Sequence, residues 1–169
     1  MFKTCCFISV SEEPFLTGLE REQLEYNFNG ILFYLTFAKG VKKYLFPFCG
    51  EMPDVANRTT NTIAAYDASV RSVLALPKGK REYLPFAFYL DKRFDATKEI
   101  SPKNATLRLY YQKMIDLSDY CVFYFDKKRV SEDEKDLFAY AKKSNKTALN
   151  MFPSKNVSAL FKLIDRPAT

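Results

Sequence analysis

Short apolar segments alternate along the whole chain with segments in which apolar residues recur at helical spacing. The apolar segments have the length of strands, are bounded by turn residues, and lie at residues 2–10, 44–49, 83–90, 120–125 and 147–152. Because neighbouring parallel strands need a connection long enough to hold a helix, this alternation predicts helices on both faces of the sheet. The expected fold class is α/β, as a three-layer α/β/α Rossmann-like sandwich with a mainly parallel five-stranded sheet.

The helical segments differ in how clearly their ends are marked. The most regular one follows Asp54, a plausible N-cap, and keeps one face of apolar residues and threonines as far as Leu74. An earlier helix ends before Gly40, at the place of a C-cap glycine, and the last one follows Ser154 as its N-cap. Residues 91–104 are charged and lack periodicity, which predicts a long loop.

The size of the chain indicates one domain. Its 169 residues are within the usual range for a domain, and 47% of them are hydrophobic, enough for a sizeable core. The sequence has no internal repeat and no flexible linker. We therefore expect a single domain over residues 1–169.

Histidine is absent from the sequence, as is tryptophan. Without imidazole the chain can have neither a Ser-His-Asp or Cys-His relay nor a zinc site that contains histidine. The four cysteines, at positions 5, 6, 49 and 121, form no C-x-x-C pair, so we expect reduced, buried thiols and a cytoplasmic location. Carboxylates cluster only at 132–136, and no apolar run is long enough for a signal peptide or a membrane span. We therefore expect no cofactor, no metal and no membrane partner.

The formal net charge is +6, from 26 Lys and Arg against 20 Asp and Glu. The excess is diffuse, with short basic clusters at residues 78–81 and 127–129. A solvated loop is the simplest interpretation of each cluster, and an anion or nucleic-acid contact is the alternative. Because diffuse charge gives weak and salt-dependent binding, nucleic acid is not the main partner that we expect.

Three segments of the sequence carry a family resemblance: K-T-C-C-F at 3–7, M-I-D-L-S-D-Y-C-V-F-Y-F-D-K at 114–127, and A-Y-A-K-K-S-N-K-T-A-L-N-M-F at 139–152. In these segments the chain resembles the SLOG superfamily, in particular its small bacterial members of unknown function. These are Rossmann-like domains, distantly related to the cytokinin-activating phosphoribohydrolases and to the DNA-processing protein DprA. The resemblance implies that the strand-end loops take a nucleotide or a nucleotide-derived ligand.

The sequence departs from the family pattern at its ligand-binding motifs. Residues 8–10 stand where members carry Gly-His-Arg, and Tyr110 and Tyr111 stand where they carry an Arg-Asn pair. Residues 49–54 keep one glycine and the aspartate of a glycine-rich turn. The turn at 127–133 has no glycine, although members use a Gly-Gly-Thr-type turn there for close backbone approach to a phosphate. The anion cradle is therefore expected to be altered or lost.

In parallel α/β sheets, ligands bind outside the carboxyl ends of the strands, where the strand order reverses. The candidate loops are residues 9–13, 50–54, 90–95, 126–131 and 152–154. Together with the positions that match family motifs, they give the candidate ligand-binding residues Ser9, Ser11, Gly50, Asp54, Tyr111, Asp126, Lys127 and Ser131.

Each candidate also has a structural interpretation, which the sequence favours. Asp54 can be a helix cap, Ser9 and Ser11 turn residues, and Tyr111, like Tyr110, part of the core. The basic cluster at 127–129 can be a solvated loop, and the acidic residues that follow it would repel a phosphate unless they pair with cations.

The first functional hypothesis is a degenerate SLOG-type domain that binds a nucleotide-derived small molecule, or serves as a protein-interaction module, without turnover. The alternatives are a nucleoside or nucleotide hydrolase, in which Asp54 or another loop carboxylate orients water, and a weak nucleic-acid-binding protein. No catalytic residue is assigned, and the sequence leaves open whether the chain forms a homo-oligomer.

Overall fold

A computed structural model describes residues 2–9, 17–47, 51–76, 96–99, 107–152 and 156–166 of the chain. Its strands are β1 (Lys3–Ile8), β2 (Val41–Phe46), β3 (Arg71–Leu76), β4 (Ala96–Glu99), β5 (Tyr120–Phe123) and β6 (Thr147–Asn150). Its helices are α1 (Gly18–Phe37), α2 (Glu51–Tyr66), α3 (Leu107–Asp116), α4 (Glu132–Lys143) and α5 (Val157–Asp165).

The strands form one sheet in the order β4-β3-β2-β1-β5-β6, and every neighbouring pair is parallel. The three-layer Rossmann-like class is thereby confirmed, with one strand more than the five expected. The strand order reverses between β1 and β5, where Ile8 is level with Phe123. This reversal fixes where a ligand site is expected in such a sheet.

Successive side chains of a strand point to opposite faces, and β1 shows how this builds two cores. Cys5 and Phe7 face a core formed with α1, α2 and α5, in which the Phe7 ring stacks on Phe46 at 4.8 Å between centroids. Cys6 and Ile8 face a second core, formed with α3 and α4. The sheet is therefore covered by helices on both faces.

The second helix is shorter than the sequence predicts. We expected it to continue to Leu74, but α2 ends at Tyr66 and residues 71–76 form β3. The cause is a turn at Asp67, whose carboxylate accepts a 2.9 Å hydrogen bond from the N-H of Ser69 and whose carbonyl accepts one from Val70 at 3.1 Å. The predicted strand at 83–90 lies outside the described residues.

The structure also differs from the sequence prediction at residues 96–99 and at the start of the last helix. Residues 96–99, predicted to be in a loop, form the edge strand β4 against β3, with Val73 level with Ala96. The N-cap of the last helix is Asn156, which accepts a hydrogen bond from the N-H of Ser158 at 2.9 Å, and Ser154 lies outside the described residues. Gly40 follows α1 as expected and has a φ of +78°, in the left-handed region that favours glycine.

Candidate functional site

The candidate site lies where the carboxyl ends of β1 and β5 meet. Ser9 follows β1 and is buried, and residues 124–131 follow β5 and lead into α4. The structure brings five of the predicted site residues together here. Ser9 follows β1, Tyr111 of α3 contacts Ser9, and the segment between β5 and α4 contains Asp126, Lys127 and Ser131. Ser11 and Gly50 lie outside the described residues.

Two adjacent tyrosines of α3 form hydrogen bonds with main-chain carbonyls at the carboxyl ends of β1 and β3. The Tyr111 hydroxyl donates a hydrogen bond to the carbonyl oxygen of Ser9, and the Tyr110 hydroxyl donates one to that of Ala75, at 2.6 Å. Both side chains are buried, so the expectation that they belong to the core is confirmed. Tyr110 and Tyr111 therefore use their hydroxyls to bind main-chain carbonyls at strand ends.

Asn150, at the end of β6, holds the start of the loop after β5. Its amide nitrogen donates to the Phe125 carbonyl at 3.0 Å, and its side-chain oxygen accepts from the N-H groups of Phe125, at 3.2 Å, and Phe152, at 3.1 Å. The sequence analysis did not single out Asn150. The available signal was an amide side chain at the end of an apolar strand, where main-chain groups lose their ladder partners.

The loop then turns back at Asp126. The Asp126 carboxylate accepts a hydrogen bond from the N-H of Lys128, and its carbonyl accepts one from the N-H of Arg129, both at 2.9 Å. This is a turn in which the aspartate binds its own main chain. The Asp126 side chain therefore shapes the loop, and the turn positions the three basic residues that follow.

Lys127, Lys128 and Arg129, here named the cation loop, have exposed side chains. None of the three forms an ion pair with the part of the chain that the structure describes. Two of the four acidic residues of α4 pair with cations outside the loop: Glu132 pairs with Lys135 at 3.4 Å, and Asp136 pairs with Arg108 at 3.1 Å. The cation loop therefore presents three positive charges beside the strand-order reversal.

Ser131 is the N-cap of α4. Its hydroxyl oxygen accepts a hydrogen bond from the N-H of Glu134 at 3.2 Å and lies 3.3 Å from the carboxylate of the same residue. Glu134 is buried by this arrangement. The S-x-x-E spacing is the sequence signal for such a cap.

Asp54 lies on the other side of β1, in the first turn of α2. Because α2 begins at Glu51, the expectation that Asp54 is the N-cap is wrong. Its carboxylate instead pairs with Arg58 at 3.2 Å and with Arg21 of α1 at 3.7 Å. Its second oxygen, Oδ1, is buried and accepts no hydrogen bond from the described part of the chain.

The described cysteines do not supply a nucleophile to this site. Cys5, Cys6 and Cys121 are free thiols and fully buried. Burial raises the pKa of the Cys5 thiol, and the hydrogen bond with Cys6 together with burial raises the pKa of the Cys121 thiol. A raised pKa lowers the fraction of thiolate, the reactive form.

Among the described residues, no group of three or more Cys, Asp and Glu side chains is arranged to hold a metal ion. None of the described helices combines the length and the apolar composition that crossing a bilayer requires. No family model matches the chain, and no curated protein matches it in sequence.

Proposed function

We propose that the chain is a SLOG-like domain of a bacterial cytoplasmic protein, which binds a nucleotide-derived anion between β1 and β5 and does not turn it over. The observation that carries the proposal is the cation loop, three exposed charges that form no ion pair with the described residues and lie beside the strand-order reversal. The free, buried thiols of Cys5, Cys6 and Cys121 support the cytoplasmic location, since the cytoplasm keeps thiols reduced.

The pairing of α4 supports anion binding at the cation loop. The sequence suggested that the acidic first turn of α4 would repel a phosphate, but Glu132 and Asp136 are each paired with a cation, Lys135 and Arg108. This pairing reduces the repulsion that a phosphate near Lys127 would meet, although Asp133 and Glu134 of the same turn are not part of it. Charge can thereby take the place of the glycine cradle that the turn at 127–133 lacks.

The lack of turnover is proposed from the groups that surround the strand ends. The tyrosines in the place of the Arg-Asn pair bind main-chain carbonyls, and the thiols of Cys5 and Cys121 have raised pKa values. Asp126 is engaged in its own turn. The sequence contains no histidine to act as a general base.

A thermal-shift titration with nucleoside monophosphates tests the proposal. We expect the wild type to be stabilised by at least one of them, and the triple variant Lys127→Ala/Lys128→Ala/Arg129→Ala to lose that stabilisation. The matched control, Lys113→Ala/Lys143→Ala/Lys162→Ala, removes the same charge from exposed helix positions and should respond like the wild type. If no nucleotide stabilises the wild type, or if both triple variants respond alike, the cation loop is not the binding site.

One observation favours a second candidate, a nucleoside or nucleotide hydrolase. The buried Oδ1 of Asp54 accepts no hydrogen bond from the described residues, so we take this oxygen as the group that would orient a water molecule. Incubation with nucleoside monophosphates, followed by chromatography for free base, separates the two candidates. Release of base that Asp54→Asn abolishes would replace binding without turnover by hydrolysis.

A further inference from the structure

Asn27 of α1 is a buried amide whose hydrogen-bond donor is not used within the described part of the chain. The residue is 1% exposed. Its side-chain oxygen accepts a hydrogen bond from the amide nitrogen of Gln23 at 3.5 Å, but its Nδ2 donates to none of the described residues. A buried donor without an acceptor costs free energy. An amide at this position of an otherwise apolar helix face therefore requires a physical reason.

The Asn27 amide points towards the carboxyl ends of the strands. Side chains of an α-helix tilt towards its N-terminus, and the hydrogen bond with Gln23, one turn earlier, shows this direction for Asn27. The chain passes from the carboxyl end of β1 into the N-terminus of α1. The direction in which the amide points is therefore that of the candidate site.

Gly30 shows on which side of α1 the amide lies. A Cβ atom at Gly30 would meet Cγ1 of Val157, the first residue of α5, at 3.1 Å. Asn27 is one turn closer to the N-terminus of α1 on the same side, so it lies beyond the start of α5. Because β6 leads into α5 and pairs with β5, this position is beside the carboxyl ends of those two strands.

Two aromatic side chains follow these strands on the face of the sheet that α1 covers. Tyr124 and Phe152 are half-buried, and their ring centroids lie 5.4 Å apart with the ring planes at 90°. Tyr124 packs against the core formed with α1, α2 and α5. The N-H of Phe152 donates to the Asn150 side chain, which holds its main chain in place. This corner of the sheet thus combines apolar ring surface with one buried donor, a composition typical of sites for small organic ligands.

We infer that Asn27, Tyr124 and Phe152 form a base subsite, which binds the base of the nucleotide. Aromatic rings give a base a surface for stacking, and the Asn27 amide donates to a carbonyl oxygen or ring nitrogen on its edge. Tyr124 and Lys127 are three residues apart, so their Cα atoms are separated by at most about 11 Å, and one ligand can contact both the subsite and the cation loop. The inference rests on the proposed function, whose ligand it specifies as a nucleoside phosphate.

Calorimetric titration with ribose 5-phosphate and with the common nucleoside 5′-monophosphates tests whether the base is bound. We expect at least one nucleoside monophosphate to bind about tenfold or more tightly than ribose 5-phosphate, because only the former has a base to stack. Equal affinities would overturn the base subsite and leave anion binding at the cation loop intact. If neither kind of ligand binds, the proposed function fails and the base subsite fails with it.

Asn27→Leu and Phe152→Leu test the residues of the subsite. Each should reduce the preference for the nucleoside monophosphate over ribose 5-phosphate by about fivefold. An unchanged affinity for ribose 5-phosphate shows that the variant is folded. Asn29→Leu, at an exposed amide of α1, is the matched control and should keep the preference of the wild type.

Stability separates a binding role of Asn27 from a structural one. Because Asn27→Leu removes a buried donor that no described residue accepts from, urea unfolding should show the same stability as the wild type or a higher one. A preference for nucleoside monophosphates that either subsite variant leaves unchanged would overturn the inference. So would an Asn29→Leu control that loses the preference to the same extent.

Discussion

The Tyr111 hydroxyl donates a hydrogen bond to the carbonyl oxygen of Ser9, a residue 102 positions earlier in the sequence. The bond ties α3 to the end of β1, at the point where the strand order reverses. Tyr110 ties the same helix to the end of β3 through Ala75. Two buried tyrosines thus hold the strand ends at the candidate site, and the cation loop supplies its exposed positive charges.

Tyr111→Phe should lower the free energy of unfolding by about 0.5–1.5 kcal/mol, because it removes the hydrogen bond from the tyrosine hydroxyl to the Ser9 carbonyl. Urea unfolding followed by circular dichroism measures the change. Tyr26→Phe removes the same hydroxyl from a tyrosine that is 69% exposed and should change stability by less than about 0.5 kcal/mol. Equal effects of the two substitutions would show that the bond to Ser9 is not responsible.

Asn150→Ala should weaken nucleotide binding as well as stability. The substitution removes all three hydrogen bonds that hold Phe125 and Phe152, so the loop after β5 loses its anchor. We expect a stability loss of about 1–3 kcal/mol and a smaller nucleotide-dependent thermal shift. Asn29→Ala, at an exposed amide of α1, is the control and should change neither quantity.

The sequence predicts those elements whose local pattern and tertiary environment agree. β1 and β5 are short, mostly buried apolar runs, and they lie where expected. β6 also lies where expected, although Leu149 is its one buried residue. Tyr110 and Tyr111 are in the core, as their apolar surroundings indicate.

The end of α2, the strand β4 and the ion pair of Asp136 could not be predicted, because they depend on contacts that the local apolar pattern of the sequence does not contain. Val73 and Leu74 continue the helical spacing of α2, yet the turn at Asp67 ends the helix and their apolar character serves β3. β4 is short and polar, and it is a strand because it pairs with the edge of β3. The partner of Asp136 also comes from tertiary structure, since Arg108 belongs to a different helix.

The stability of the chain should depend on pH through Asp67. Hydrogen bonds from Lys42 and Ser69 lower the pKa of this carboxyl from 3.8 to about 2. Because the folded pKa lies below the unfolded one, this contribution is present above about pH 4 and is lost as the pH falls through about 2. Asp67→Asn should therefore flatten the pH dependence of the free energy of unfolding in that window.

Urea unfolding at a series of pH values measures this dependence. Asp133→Asn, at an exposed carboxylate of α4, should keep the pH dependence of the wild type. An equal flattening in both variants would indicate a general effect of net charge instead of the Asp67 contacts.

Binding at the cation loop should weaken as salt is added. The three side chains are exposed, so their attraction for a phosphate is screened, with a Debye length of about 10 Å at 0.1 M salt. Calorimetric titration of the wild type with the nucleotide that gives the largest thermal shift should show an affinity that falls between about 50 and 300 mM NaCl. The control variant Lys113→Ala/Lys143→Ala/Lys162→Ala should keep this dependence, because its substitutions are on α3, α4 and α5, outside the loop. An affinity that is independent of salt would mean that the ligand is held by neutral groups, and the cation loop would then be the solvated turn that its sequence first suggests.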